Sequence, residues 1–483
     1  MLQRKKNTIL VLYLIIFSLI GPLTFWLTNR AGYVPSQGTA QQRQPLANFS
    51  KFDFGNIFGL IKNKSVQRRI SLGDKVLVTA DNSPDKQAGV GAFAKGDFAT
   101  AITKFNSSLQ INRNDPEGWI YLNNATAALH GDIVKIAASV PVGGNLNVAR
   151  EILRGVAQAQ FELNHNGGIA GKLLQVEIAN DDNDPAIALQ LATEFVNDAS
   201  ILAVVGHNSS DASIAAAPVY QQGGLVMISP TSVARNLSGI GSYIFRTTPS
   251  ARVIANSLSR YAMNYAKYTR IAICADSQAQ ASQSFKEEFT AAIFENGGTI
   301  TNTRCDFSAP SYNSSDIPSQ AVSDGADALL LAPSVNKLNQ ALEVVRANKG
   351  RLALLGNHSM YMFDTLRQGQ VDANGMVLAV VWHPTLIPGS SFPADASKFW
   401  GGAGSWRTAM AYDATQSVIS GLKSGFSRDE VQKALSNSGF SINGATGVVK
   451  FLPTGDRNGA ASLVKIQPGK TSGTGYDFVP FWP

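Results

Sequence analysis

From residue 133 onward the chain alternates short, continuous apolar runs with longer amphipathic stretches. That rhythm constrains the fold more than any other feature. Nine runs read as strands: VKIAASVP (134–141), LLQVEIAND (173–181), ILAVVGH (201–207), LVMISP (225–230), RIAICAD (270–276), TITNTRCDF (299–307), ADALLLAP (326–333), RLALLGN (351–357) and GMVLAVVW (375–382). Most lack the polar alternation of a one-sided sheet, so they expect cover on both faces. Between most of them lie 14–20 residues with helical spacing. In NVAREILRGVAQAQFELNHN, for example, Val148, Ile152, Leu153, Val156, Ala159 and Leu163 share one face. Apolar strands joined by helices imply parallel sheets sandwiched between helices. Nine such strands exceed one compact sheet, so an α/β fold of two lobes is expected. A TIM barrel would need eight regular units. The segment GVVKFLPTGDRNGAASLVKI (447–466), which reads as a hairpin, breaks that rhythm.

Charge and cysteine content narrow the function. The formal net charge is +7, which taken alone suggests a nucleic-acid partner. Residues 1–70, however, hold ten Lys/Arg against one acid, Asp53, so that segment is +9 and the rest of the chain sums to −2. The basic excess therefore fits a membrane surface and argues against nucleic acid. Two Cys exclude a disulfide scaffold and a multi-thiolate metal cluster. No cofactor motif is present. The chain has no G-x-S-x-G, H-E-x-x-H, C-x-x-C or G-x-x-x-x-G-K-[ST] motif, and its five His lack metal-ligand spacing. His207 stands close to Ser209, but near neighbours in a tight turn rarely present their side chains to each other. No catalytic residue is expected, and the chain does not read as an enzyme.

The N-terminus reads as a membrane device. Arg4-Lys5-Lys6 precede an uncharged run of twenty residues, 9–28. At about 1.5 Å per residue this covers the roughly 30 Å of a bilayer core. The basic cluster keeps residues 1–8 in the cytoplasm and sends the remainder outward. The exit, FWLTNRAG, offers no small-x-small cleavage site, which favours an anchor or uncleaved signal. Gly21-Pro22, inside the run, argues the other way. The expected location is the inner membrane, with the globular part in the periplasm. Residues 29–82, rich in polar and turn-forming residues at their start, read as a linker.

From residue 83 to 130 the pattern is helical. KQAGVGAFAKGDFATAITKFNSSLQINRNDPEGWIYLNNATAAL resembles one tetratricopeptide repeat plus the first helix of a second. Gly89 and Ala101 occupy small-residue positions, Phe93 and Phe105 are the large plugs, and Gly96-Asp97-Phe98 form the turn. Pro116 comes about three residues late for that pattern, and a plain helical hairpin is the alternative. One and a half repeats cannot bury a core alone. The unit is therefore expected to pack on the next domain, on a partner or on a second copy.

Residues 131–475 resemble a type I periplasmic solute-binding protein of ABC importers, of the branched-chain amino acid (Leu/Ile/Val-binding-like) class. The motifs stand in order: SVPVGGNLNVAREILRGVAQAQFELNHNGGIAGKLLQVEIANDDNDP, AVVGHNSSDASIAAAPVYQQGGLVMISPTS, YIFRTTPS, the RIAICAD and ALLLAPS strands, and Gly447, Phe451, Gly455 and Asp456. The resemblance implies two α/β lobes joined by three hinge strands and closing on a small ligand. Lobe one would be about 133–250 plus 382–455, and lobe two about 251–381 plus the C-terminal tail. It also implies permease subunits of an ABC transporter as partners.

The site residues follow from strand ends and from that resemblance. Ser209 and Ser210 start a helix after a strand, where free N–H groups and the helix dipole favour a carboxylate. Ser210 matches the family's carboxylate-binding serine, and helix capping alone is the alternative role. Thr231 and Ser232 are the polar candidates at the next strand end, because the family's threonine falls on Val233. The family's aromatic positions fall near Gln280, on Ser334 and on Val148, and its acid falls near His358. These departures imply less aromatic wall and less negative charge, so a polar neutral or anionic solute fits as well as an amino acid. Asp184 with Pro185 reads as a helix start, and Asp413 as a helix residue. By the resemblance Cys274 and Cys305 lie near neighbouring strand ends. A disulfide between them is a candidate in an oxidising compartment, although adjacency leaves open whether their Cβ vectors face. A sensor or assembly protein that kept this fold without transport is the alternative function.

Overall fold

The computed structural model describes residues 64–482. The expected anchor at 9–28 and the first part of the expected linker lie outside the described residues. Among the described residues no helix is long and apolar enough to cross a membrane.

Two mixed sheets organise the chain from residue 70 on. The first contains β1 (Ile70–Ser71), β2 (Ile133–Val140), β3 (Leu173–Asn180), β4 (Ile201–Val205), β5 (Val226–Ser229) and β6 (Ile244–Arg246), in the order β1-β3-β2-β4-β5-β6. Strands β2 to β6 are parallel, and β1 runs antiparallel to β3. The second sheet contains β7 (Arg270–Ala275), β8 (Thr299–Ile300), β9 (Ala328–Ala332), β10 (Ala353–Gly356), β11 (Val377–Val380), β14 (Ser462–Pro468) and β15 (Tyr476–Pro480). Its order is β15-β14-β11-β10-β9-β7-β8, with β14 antiparallel to both of its neighbours, β11 and β15. A separate two-stranded ribbon joins β12 (Ile442–Gly444) to β13 (Gly447–Val449).

The central strands are buried along their whole length, as their unbroken apolar sequence requires. The helices follow from amphipathic spacing and from caps. The sequence stretch 146–165 forms one of them, with Ile152, Leu153, Val156 and Ala159 buried and Asn145 capping its start. Asp184 accepts from the N–H groups of Ala186 and Ile187 ahead of Pro185, as its position suggested.

Chain order and packing give three crossings between the lobes: after β6, after β11, where the helix Trp406–Leu422 returns to pack on Leu146–His165 of the first lobe, and between β13 and β14. The third corrects the reading of 447–466 as a hairpin. A turn does form, with Phe451 opposite Arg457, but the arms part. Residues 447–449 pair with β12, while 462–468 join β11 in the other sheet. Two buried ion pairs hold the turn to the first lobe. Arg246 donates to Asp456 at 2.7 Å, and Arg457 lies 3.5 Å from Asp413. Asp413, a buried helix residue, also accepts from Ala445 N–H at 2.6 Å, and burial pushes its carboxyl up to about 6. In the second lobe Cys274 and Cys305 are disulfide-bonded, with Cα atoms 4.6 Å apart.

After the short helix Lys64–Gln67, three longer helices, numbered from here, lie between β1 and β2: α1 (Pro84–Phe93), α2 (Phe98–Ile111) and α3 (Pro116–His130). Gly89 lets α1 and α2 approach, because a Cβ there would sit 2.7 Å from the Phe105 ring. The unit is part of the body of the first lobe. Buried Lys86 pairs with Asp115 and Glu117 at 2.7 Å each. Glu117 in turn accepts from Leu77 N–H at 2.7 Å and Val78 N–H at 3.2 Å. The segment 70–81, read from sequence as linker, is thereby ordered: β1 extends the sheet, and the Glu117 carboxylate satisfies the backbone beyond it.

Asn124 makes the most economical join. Its side-chain amide donates to Val176 O at 2.7 Å and accepts from Val176 N–H at 2.9 Å. It thus replaces a neighbouring strand on the edge of β3 where β1 stops. Replacing Asn124 with Leu strands a buried donor and a buried acceptor. We expect a loss of about 2–4 kcal/mol in urea denaturation. A loss under about 1 kcal/mol would contradict this role.

Candidate functional site

The carboxyl ends of the parallel strands in both sheets face one cleft of about 360 Å³. The first lobe supplies Asn183 after β3, Asn208 to Asp211 after β4, and Thr231 after β5. The second supplies Asp276 after β7, Ser334 to Lys337 after β9, and His358 and Ser359 after β10. Trp406 and Arg407 enter from the first turn of α13 (Trp406–Leu422), counting helices in chain order; Ser405 caps this helix.

The floor is built by the β4–α6 connection, where α6 is Ser210–Gln222. Gly206 has φ +142°, and a Cβ there would lie 2.6 Å from Ser139 O. Only glycine lets β4 turn this tightly against β2. Below the floor, His207 is fully buried, with Nδ1 2.7 Å from Asp181 and Nε2 3.0 Å from the Tyr220 hydroxyl. Both ring nitrogens are engaged, neither with Ser209, so His207 positions the loop. The backbone carbonyl of His207 accepts from Ser229 at 2.7 Å and from Ser213 at 3.3 Å. Above this platform Ser209 caps α6 by accepting from Ala212 N–H at 3.1 Å. Ser210 accepts from Ala234 N–H at 3.2 Å, and Thr231 donates to Asn208 O at 2.8 Å. The first turn of α6 therefore presents hydroxyls and helix N–H groups to the cleft, a suitable seat for a carboxylate.

Of the residues expected from sequence, Ser209, Ser210, Thr231, Ser334 and His358 line this cleft. Ser232 and Gln280 do not, and these two expectations are corrected. Ser232 is buried behind the wall, 2.8 Å from the Ser213 hydroxyl. Gln280 starts the helix Gln280–Glu295 on the rim, and its side chain accepts from Asn236 at 3.4 Å. Its backbone N–H reaches Asp211 at 3.3 Å, and Arg235 N–H reaches Ser284 at 3.1 Å, so the lobes touch along this rim.

The lining also holds residues that strand-end reasoning did not name, among them Asp211, Asp276, Lys337, Trp406 and Arg407. Asp211 and Asp276 restore the negative charge that the family positions had seemed to lose. Asp276 was legible as the acid directly after a strand. Its Oδ1 accepts from the Ser308 hydroxyl at 2.7 Å. Burial raises the Asp211 carboxyl above its ordinary value. Trp406 and Arg407 follow no strand, so a strand-end search passes over them.

The far end of the cleft is electrostatically unusual. Arg407 is 4% exposed and lies over the Trp406 ring at 4.3 Å. Its guanidinium makes no hydrogen bond or ion pair to any described residue, and its Nε is buried without a partner. The nearby Glu151 carboxylate is already engaged by Arg154 and by the Thr408 hydroxyl. Burial pushes the Arg407 guanidinium down to about 10, so it stays charged at neutral pH. His358 touches Trp406 edge-on at 5.7 Å, and its buried Nδ1 has no partner among the described residues. Burial, assisted by the Arg407 charge, pushes His358 down to about 3, which keeps it neutral. Trp406 and Arg407 also line a second chamber of about 510 Å³, walled by apolar groups such as Tyr361, Trp382 and Phe478 and by charged ones such as Arg150, Glu151 and Asp364. Among the described residues no cluster of His, Cys, Asp and Glu is arranged to hold a metal ion.

Two α/β lobes, three crossings and a polar cleft at facing strand ends define a solute-binding protein of the type I periplasmic class. The model of the Periplasmic binding protein family matches residues 133–471, and the chain belongs to that family. It is a family of binding proteins and not of enzymes. The Leu/Ile/Val-binding protein of Escherichia coli K12 is 26% identical over 354 residues, covering 71% of this chain and 92% of the relative. A leucine-binding protein structure from Thermotoga maritima superposes with a TM-score of 0.63 at 18% identity, covering 72% of this chain and 97% of that one. A solute-binding protein of an ABC transporter from Rhodopseudomonas palustris, in complex with 3,4-dihydroxybenzoic acid, does so with a TM-score of 0.62 at 18% identity, covering 72% and 96%.

The neutral state of His358 has a consequence for stability. Below pH 6.5 the unfolded chain takes up a proton here that the folded chain refuses until about pH 3. Folding stability at this position therefore falls as pH drops through that window, by about 1.4 kcal/mol per unit. In urea denaturation at pH 7 and pH 4.5, His358→Asn should lose clearly less stability on acidification than the wild type. Equal losses would contradict a buried, neutral His358.

Proposed function

We propose that this protein is an extracytoplasmic receptor that binds a small polar solute between its lobes and delivers it to the permease of an ABC importer. The observation that carries the reading is the convergence, in one inter-lobe cleft, of a helix N-terminus with hydroxyls, two carboxylates and an unpaired guanidinium. A solute bridging Ser209, Ser210 and Thr231 on one lobe and Asp276, Ser334 and His358 on the other makes all its contacts only when the lobes are together. Its binding energy therefore favours that state, the form a transporter would recognise. The named ligands of similar proteins range from branched-chain amino acids to an aromatic acid, so the scaffold accepts varied solutes that carry a carboxylate.

The chain's N-terminal segment completes the proposal. Residues 9–28 tether the receptor to the inner membrane, with the binding domain on the periplasmic side and residues 1–8 in the cytoplasm. The helices 84–130 serve as a tetratricopeptide-like element. The Lys86–Asp115–Glu117 cluster ties them to one another, and Asn124 ties them to Val176 and Gln160 of lobe one, so they act as a rigid spacer and not as a mobile arm.

A thermal-shift screen of the purified protein against amino acids, amides, urea and small carboxylates tests this reading. A true ligand at about a hundred times its Kd adds about 2.7 kcal/mol and raises Tm by a few degrees. Where that ligand carries an ammonium, Asp276→Asn should weaken it about tenfold or more, by loss of a charge-assisted contact. Absence of any stabilising solute across the panel would refute the receptor function.

A further inference from the structure

The cleft has two chemically distinct ends. At one, Ser209 and Ser210 stand at the α6 N-terminus beside Asp211, which accepts from the Gln280 backbone. At the other, Arg407, Trp406 and His358 pack together, and Arg407 reaches the wall of the second chamber while Ser209 and Ser210 do not. Each end offers a place for an anion. The serine end does so with hydroxyls and helix N–H groups. The arginine end does so with a guanidinium that has no direct hydrogen bond or ion pair among the described residues and feels Glu151 only through space.

A guanidinium buried this deeply without a directly paired counter-ion is costly to the folded protein. Loss of either partner from a buried ion pair is among the larger penalties a fold can carry. Arg407 survives here with only a ring face beneath it and a carboxylate nearby that is already engaged. Its neighbour His358 is neutral and offers nitrogen atoms but no opposing charge. Guanidinium groups match planar carboxylates in a bidentate way that a lysine cannot. The missing counter-charge is therefore best supplied by the solute, at a point remote from the serine end.

We infer that the solute is a dicarboxylic compound: one carboxylate rests on the α6 N-terminus with Ser209 and Ser210, and the second pairs with Arg407. This rests on the receptor reading above and specifies its ligand class. Two sources of that chemistry fit, an acidic amino acid and a dicarboxylate without an amino group. Asp276 decides between them, because an ammonium would sit against its carboxylate. Trp406, stacked on the guanidinium, would shield one face of the pair from water. That shielding strengthens the contact and makes an uncharged amide a poor substitute.

The test is calorimetric titration of the full chain in detergent. The probes are L-glutamate and L-aspartate, glutarate and succinate, and the neutral references L-glutamine and L-leucine. Binding of at least one dicarboxylic probe about a hundredfold tighter than both neutral references is expected, as befits a buried charge pair. Arg407→Gln should erase that preference, weakening the acid about a hundredfold while leaving L-glutamine within about threefold. Arg407→Lys, which keeps the charge but not the fork, should fall between. The ligand series on the wild type needs no variant, so a misfolded substitution does not block the test. Tighter binding of L-glutamate and L-aspartate than of glutarate and succinate places an ammonium at Asp276, and the reverse order excludes one. Both orders support the dicarboxylic assignment. Binding of L-leucine or L-glutamine at least as tight as every dicarboxylic probe overturns this inference and leaves the receptor reading intact. No heat from any of the six probes also overturns this inference, and only silence across the wider thermal-shift screen would defeat the receptor function.

Discussion

Parallel strands cannot be joined by a tight turn, and most of this molecule follows from that fact. Each parallel pair needs a crossover, the crossover is a helix, and the helix covers one face of the sheet. The strands then point their carboxyl ends the same way, and the loops that follow them gather at one edge. With two such sheets joined by three crossings, both edges face one another across the cleft. Asn183, Asn208 and Thr231 come from one sheet, Asp276, Ser334 and His358 from the other. None is near its cross-cleft partners in the sequence. The site is a product of topology before it is a product of any motif.

On this frame the polar residues divide into those that hold the loops and those left open to a solute. His207, Asp181, Tyr220, Ser213, Ser229 and Ser232 bond one another and the backbone beneath the cleft floor. Arg407, His358 Nδ1 and Trp406 Nε1 have no hydrogen-bond partner among the described residues. A buried network that is fully satisfied stiffens a site, whereas a buried group without a partner is a cost that a ligand can remove. The two classes sit on opposite sides of the same lining. The helices before the first long strand belong to the stiffening class. Asn124 stands in for a strand on the edge of β3, and Glu117 holds the backbone of Leu77 and Val78.

The sequence disclosed the lobes well, because continuous apolar runs such as those of β5 and β9 carry an unambiguous signal. It disclosed less where structure depends on long-range hydrogen bonds. The run TITNTRCDF shortens to the two residues of β8, because Thr301 to Arg304 carry too little apolar surface for a buried strand. The segment 447–466 has the local look of a hairpin, yet its second arm is drawn into the other sheet by pairing with β11. Residues 70–81 look like linker because the groups that order them, Glu117 and Asn124, lie about forty to fifty positions downstream. Of the residues picked by strand-end reasoning, Ser209, Ser210, Thr231, Ser334 and His358 line the cleft. Ser232 and Gln280 lie outside that lining, because the direction of a side chain at a strand end or helix start is not written in the local sequence. Strand-end reasoning passed over Trp406 and Arg407, because these enter from a helix start that no strand precedes.

The central claim is that a solute bridges the α6 N-terminus and the buried Arg407 end of one inter-lobe cleft. A high-resolution crystal structure of the protein with its bound solute tests this most directly. The account predicts ligand density between Ser209 and Ser210 at one end and Arg407 and His358 at the other, with ligand oxygen within about 3 Å of the guanidinium. Density confined to the second chamber or to an outer surface, with Arg407 still unpaired, would contradict it.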